Sequence, residues 1–175
     1  MTQITRADVI GKSQNRTALG MIAAYLAKYP NTTLSELRKK FPKSAVCPDA
    51  GTNLEELFFT AKDIENKKQA GDNWFIKDGA CFTKDDEWLT LANGEKIAFC
   101  KMWTASSLAL LQDAMKPYNI YGQVGTPQGG TAGYAITYQY APKAEPSQPA
   151  TKSGMPAWIW IVLAVVVVAG FFVFK

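Results

Sequence analysis

The chain has 175 residues, of which 47% are hydrophobic and 19% charged, a balance typical of a folded protein rather than a disordered one. Residues 1–122 hold 16 basic and 14 acidic side chains, which is too balanced to predict a nucleic-acid binder by charge alone. There is no histidine, which excludes imidazole acid–base chemistry and most zinc and haem ligand sets. Three cysteines without CxxC spacing predict reduced, partly buried thiols.

Two helices are predicted first along the chain. Apolar residues at i, i+3, i+4 and i+7 indicate the first: Leu19, Ile22, Ala23 and Leu26. Pro30 closes that helix. Thr33 and Glu36 then form a capping-box pattern, which predicts a second helix that ends at Pro42.

A third helix and a short strand are expected next. Asn53 and Glu56 repeat the capping-box pattern, so we expect a helix to begin there. Its buried side would be formed by Leu54, Leu57, Phe58, Ala61 and Ile64. The aromatic run Trp74–Ile76 is typical of a short strand.

A β-hairpin and a fourth helix follow. Asn93-Gly94, between the runs 87–91 and 96–101, predicts a hairpin with a type I′ turn. Thr104 or Ser106 can cap the fourth helix. Its inward residues would be Leu108, Leu111 and Met115, and Pro117 would end it.

This order of elements resembles a winged-helix domain over about residues 13–120. The segment YLAKYPNTTLSELRKKFP looks like a first helix, a turn and a second helix, and EWLTLANGEKIAFCKMW looks like a wing. The resemblance implies an α+β fold for residues 1–122: a winged-helix-like domain of three short helices, a β-hairpin wing and an extra helix. It would place the third helix in a DNA groove. That helix would begin with Glu55 and Glu56, which repel phosphates, so DNA binding is conceivable but not favoured.

Six basic residues are candidate contacts for a partner, for phosphates or for anionic lipid. Each run is also the ordinary basic end of a helix, where cations favour the helix dipole, and that reading is preferred. The residues are Arg38, Lys39, Lys40, Lys43, Lys67 and Lys68.

Acidic side chains cluster near the predicted strands, at Asp78, Asp85, Asp86 and Glu87. A charged turn is favoured over a cation site, because the spacing fits no calcium-binding loop. No catalytic, metal or cofactor site is predicted, and the chain is not expected to be an enzyme.

Residues 123–154 are rich in Gly, Pro, Ser and Thr and predict a linker, with a potential strand at 133–141. In that strand Tyr134, Ile136, Tyr138 and Tyr140 alternate with small or polar residues. Two interpretations remain open. The segment adds an edge strand to the domain, which is favoured, or it pairs with a partner or a second copy.

Residues 155–175 predict a single transmembrane helix, because no residue from Gly154 to Phe174 is charged. The apolar run spans roughly 28 Å as a helix, close to the ~30 Å of a bilayer's hydrocarbon core. Trp158 and Trp160 at its start and Phe171 and Phe172 near its end are expected at the two interfaces.

Together these features predict a tail-anchored membrane protein, most consistent with a bacterial inner membrane and an N-terminal domain in the cytoplasm. Its expected partners are the lipid bilayer and a protein, which includes a second copy of the chain. Two alternatives are a membrane-tethered DNA-binding regulator and a small membrane-disrupting or pore-forming protein. The uniformly apolar helix argues against a water-filled pore.

Overall fold

The computed structural model describes residues 3–50, 54–130 and 132–142. They form a mixed α+β fold, which confirms the predicted class, in a compact unit that extends to Ala141. The elements in chain order are β1 (Ile4–Gly11), α1 (Gln14–Lys28), α2 (Leu34–Lys40), α3 (Lys43–Val46), β2 (Phe58–Thr60), α4 (Ala61–Gln69), α5 (Asn73–Ile76), β3 (Leu89–Thr90), β4 (Lys96–Phe99), α6 (Ala105–Met115), a 3-10 turn (Lys116–Tyr118), β5 (Ile120–Val124) and β6 (Tyr134–Tyr140).

The first sheet has the strand order β5-β1-β6. Its central strand β1 runs parallel to β5 and antiparallel to β6. Ala7 and Val9 of β1 are buried on the face that α1 covers. Helix α1 approaches closely at Gly20, where an added Cβ would lie only 2.6 Å from Val9 Cγ1.

The second sheet, β2-β4-β3, is antiparallel and carries the aromatic part of the core. Phe58 and Phe99 are cross-strand partners, and their ring centroids lie 5.2 Å apart. The ring centroids of Trp103 and Phe99 lie 5.3 Å apart. All three rings are buried in the core.

The hairpin between β3 and β4 is confirmed, but its turn differs from the predicted type I′. The amide of Gly94 donates to the carbonyl of Leu91, and of the two central residues expected in the left-handed region only Gly94 has a positive φ, of 80°. A type I′ turn needs a positive φ at both. Asn93 instead uses its side chain to accept a hydrogen bond from the Glu95 amide at 3.0 Å.

Two element predictions in the middle of the chain are wrong. Leu54–Leu57 is not helical, and β2 occupies 58–60, where consecutive apolar residues fit a strand buried on both faces. Helix α4 begins only at Ala61, after a capping box between Thr60 and Asp63. Trp74–Ile76 lies in helix α5 rather than a strand, because the Asp72 carboxylate caps it by accepting from the Trp74 amide at 3.0 Å.

The strand β1 was not predicted, and it changes the layout. The chain opens with a strand, and the first sheet adds β5 and β6 to the predicted helices and hairpin. The resemblance to a winged-helix domain is therefore not confirmed. Strand β5 runs past residue 122, and β6 confirms that 133–141 adds an edge strand to the domain.

The remaining linker, 143–154, and the predicted transmembrane helix, 155–175, lie outside the described residues. So do its expected interfacial residues Trp158, Trp160, Phe171 and Phe172. Within the described ranges, no helix has the length and apolar character needed to cross a bilayer.

The capping box of α2 is confirmed and gives a first testable prediction. The Thr33 hydroxyl accepts from the Glu36 amide at 3.3 Å, and the Glu36 carboxylate accepts from the Thr33 amide at 2.8 Å. Replacing Thr33 with alanine should lower the free energy of unfolding by about 1 kcal/mol, because the Glu36 amide loses its acceptor and the Glu36 carboxylate loses the hydroxyl that donates to it. Ser35→Ala, at an exposed position inside the helix, is the control and should change it by less than about 0.5 kcal/mol. Urea denaturation of both variants measures the difference, and equal losses would contradict the capping role.

Candidate interaction surface

Among the described residues, one face of the first sheet is left open on the side away from α1. Successive side chains of β1 point to opposite faces, so Arg6, Asp8 and Ile10 lie opposite the buried Ala7 and Val9. A shallow cavity of about 430 Å³ follows this face. Among the residues that line it are Arg6, Asp8, Ile10, Tyr121, Gln123, Gln128, Ala135 and Thr137. We call this set the open face.

The charges on the open face are paired with each other. Arg6 donates to both carboxylate oxygens of Asp8, at 2.7–3.0 Å. Hydrogen bonding to Asp8 raises the pKa of the Arg6 guanidinium. The same guanidinium carbon lies 4.5 Å from the centre of the Tyr121 ring, which is 39% exposed. The open face thus presents an aromatic ring and hydrogen-bonding groups with little net charge, which suits a protein partner better than a polyanion.

The two edges of the first sheet differ. At the β5 edge, the Gln112 side chain on α6 donates to the carbonyl of Gly122 at 2.6 Å. This contact occupies an outward backbone acceptor, a common way to protect an edge strand. At the opposite edge, β6 has β1 as its one strand neighbour within the described residues, and its seven residues carry no charge and no proline.

Arg38, one of the predicted contact residues, makes its contacts within the domain. Its guanidinium donates to the carbonyl of Phe58 at 2.8 Å. It also lies 3.6–3.8 Å from the carboxylates of Asp63 and Glu56. Its Nε is buried and finds no hydrogen-bond partner among the residues that the structure describes. Arg38 therefore links α2 to β2 and α4.

The other predicted contact residues are divided among different neighbours. Lys40 Nζ lies 5.6 Å from the Tyr118 ring centre, and Lys67 Nζ lies 5.4 Å from that of Phe75. Lys68 pairs with the Asp78 carboxylate at 3.0 Å. Lys39 is exposed on α2, and Lys43 is half-buried at the start of α3. Whether any of them contacts a partner stays a prediction.

The members of the predicted acidic cluster also have different partners. Asp78 pairs with Lys68, whereas Glu87 is buried and binds Arg16 of α1 at 2.5 Å. Burial works to raise the pKa of Glu87, but hydrogen bonds from the Lys84 amide and Arg16 outweigh it and lower that pKa. No group of Asp, Glu and Cys side chains within the described residues is arranged to hold a metal ion.

A second structural carboxylate lies at the start of α6. The Asp49 carboxylate accepts hydrogen bonds from the hydroxyls of Ser107 and of Thr104, the latter at 2.6 Å. These two bonds lower the pKa of Asp49. Because Thr104 also caps α6, the contact fixes the loop after α3 to that helix.

The cysteines are held as thiols. Burial raises the pKa of Cys47 and Cys81, and raises that of Cys100 to about 12. Nucleophilic and metal-binding chemistry requires the thiolate. The three cysteines are free and are fully buried in the core, where partly buried thiols were expected.

Sequence reasoning missed the open face, because it did not recognise β1. The signal was present, since charged Arg6 and Asp8 alternate with apolar Ala7 and Val9. Comparison of the chain with protein families, with curated proteins and with solved structures found no match. Its function must therefore be argued from its own surface and sequence.

Proposed function

We propose that this chain is a tail-anchored membrane protein whose folded domain binds a protein partner and holds it at a membrane, in the cytoplasm of a bacterium. Residues 155–175 are the anchor, and the open face of the first sheet is the binding surface. The observation that carries the proposal is the combination of a domain with an uncovered, charge-paired sheet face and an uncharged apolar run after it. Tethering at a surface raises local concentration without new contacts.

A winged-helix role in DNA binding receives less support. Four of the six predicted basic residues have acidic or aromatic neighbours within the domain, and the two remaining lysines do not form a basic stripe. A groove-binding helix would need basic or amide side chains directed at bases and phosphates. In the segment expected to supply that helix, Glu55 and Glu56 lie outside any helix or strand.

The anchor is tested by placing charge in the middle of the apolar run. Val166→Arg combined with Val167→Arg should move the full chain from the membrane to the soluble fraction of lysed cells. Each arginine at the centre of a helix costs about 2.5–3.5 kcal/mol on insertion. The matched control, Val166→Leu with Val167→Leu, should remain in the membrane fraction after alkaline extraction. An unchanged distribution of the arginine variant would reject the anchor.

The binding surface is tested by comparing two exposed aromatic residues. Tyr121 lies on the open face, whereas Trp74 is 53% exposed on α5. After in-cell crosslinking of the full chain, Tyr121→Ala should lose the crosslinked partner and Trp74→Ala should retain it. Equal retention by both variants would contradict the open face as the binding site. Binding of the detergent-solubilised chain to random duplex DNA at low salt would favour the DNA-binding alternative.

A further inference from the structure

We propose that two copies of this chain pair through the outer edge of β6, so that their three-stranded sheets join into one six-stranded sheet. The second copy would be one partner of the proposed membrane-anchored protein. This inference rests on the proposed function in one respect, the membrane that both copies share. The pairing uses the outward backbone groups of β6, so of the open face only the β6 residues Ala135 and Thr137 lie beside it. Strand β6 directs backbone groups outward, carries none of the usual edge protection and has a residue pattern that can pair with itself.

The backbone directions follow from the pairing of β1. The Ala7 amide donates at 3.0 Å to the carbonyl of Asn119, just before β5, so the backbone groups of Ala7 face β5. Successive residues of a strand direct their backbone groups to opposite sides, so those of Asp8 face β6. Asp8 pairs with Thr137, whose backbone groups therefore point inward to β1. The neighbouring residues Ile136 and Tyr138 direct theirs outward. No backbone hydrogen bond from the described part of the chain engages these outward groups.

The β6 edge lacks the usual barriers to pairing. Charged side chains, proline and bulges on the edge strand are the common ones. Strand β6 carries no charged residue and no proline, and the register shift of this strand pair lies in β1, between Ile4 and Arg6. Gly130 approaches the Tyr134 carbonyl so closely that an added Cβ would overlap it. Residues 136–140 lie beyond this contact, and we call them the accessible part.

The accessible part is complementary to itself. In an antiparallel pair centred on Tyr138, Tyr138 faces its counterpart and Ile136 faces Tyr140 of the second copy. Aromatic–aromatic and aromatic–β-branched pairs are among the favourable cross-strand combinations. On the other face, Thr137 lies opposite Gln139. No position in this pairing places like charges opposite each other. In a two-fold symmetric interface every contact occurs twice, so each must be favourable with itself.

A second copy fits this edge better than the chain's own following segment. Prolines at positions 142, 146 and 149 interrupt that segment, and each lacks the amide that strand pairing needs. The predicted anchor begins only fourteen residues after Ala141, at residue 155. Anchored copies are confined to one surface, which raises their effective concentration for each other.

The test introduces matched charges at two exposed edge positions of the full chain in detergent micelles. Thr137→Lys with Gln139→Lys places lysines directly opposite each other in the pair, and Thr137→Glu with Gln139→Glu does the same with carboxylates. Sedimentation measures the mass at a series of concentrations. The native chain should be a dimer, and each double variant should pair at least about tenfold more weakly. An equimolar mixture of the two should restore the dimer, because every lysine then meets a glutamate.

Circular dichroism first establishes that both variants keep the native fold. A monomeric native chain at every concentration, dimers that persist in both variants, or a mixture that stays monomeric would each overturn the inference. Persistent dimers would assign the contact to the apolar run or to the part of the open face outside β6. Membrane fractionation of the Val166→Arg, Val167→Arg variant tests the anchor separately. Failure of edge pairing with normal membrane partition would therefore overturn this inference alone.

Discussion

Replacing Glu87 with alanine should lower the free energy of unfolding by about 3–5 kcal/mol, because it leaves the guanidinium of Arg16 without its partner in a largely buried site. The Glu87 side chain is 1% exposed and that of Arg16 16%. Arg16 also donates to the carbonyl of Ala132 at 2.8 Å and stacks on the Phe82 ring at 4.5 Å. The ion pair thus joins α1, the loop before β6 and the segment before β3.

Asp86→Ala is the matched control, since Asp86 is the exposed neighbour of Glu87. Its effect should stay below about 0.5 kcal/mol. Urea denaturation of the full chain in detergent gives both values. A loss below about 1 kcal/mol for Glu87→Ala would show that the pair does not join these elements.

The same pair predicts how stability changes with pH. The pKa of Glu87 is lowered from its usual 4.5 in the folded chain, so between the two pKa values the unfolded chain binds more protons. Its contribution is fully present above about pH 4.5 and is lost as the pH falls through the folded value. Glu87→Gln should flatten this acid side of the stability curve. A residual slope should remain from Glu36, Asp49 and Asp78, whose pKa values hydrogen bonds also lower.

The second large effect is expected at two neighbouring leucines of α6. Leu111 is completely buried, whereas Leu110 is 41% exposed. Leu111→Ala should destabilise the domain by about 2–5 kcal/mol, because it removes buried methyl groups and leaves a cavity. Leu110→Ala should change stability by less than about 1 kcal/mol, since little apolar area is lost and alanine favours a helix. Thermal denaturation of the two variants measures the contrast. Equal decreases in their midpoint temperatures would contradict the packing of the Leu111 face of α6 against the core.

Helices were predicted well where apolar residues at helical spacing followed a capping residue. The inward residues of α6 and the Thr33–Glu36 capping box lie as expected, because both depend on residues within one or two turns. The strand β1 was missed because its partners, β5 and β6, lie more than a hundred residues away. Around Leu57 the local pattern fits a helix and a strand equally, and pairing with β4 decides the outcome.

The candidate surface was harder to predict than the fold. Tyr121 and Arg6 come together only when β5 docks beside β1, and no spacing rule connects them. The β6 strand was recognised from its alternation alone, because its pattern is local. Whether its outer edge is protected depends on the topology of the whole sheet.

The topology of the first sheet also constrains when this chain can finish folding. Its central strand is made early, whereas both neighbours are made after residue 119, so the sheet cannot close until synthesis has passed residue 140. Contacts across such separations form slowly. By then the ribosome is already translating toward the apolar run. Completion of the domain and synthesis of the apolar run 155–175 would therefore follow each other closely, with the β6 side of β1 unpaired until then.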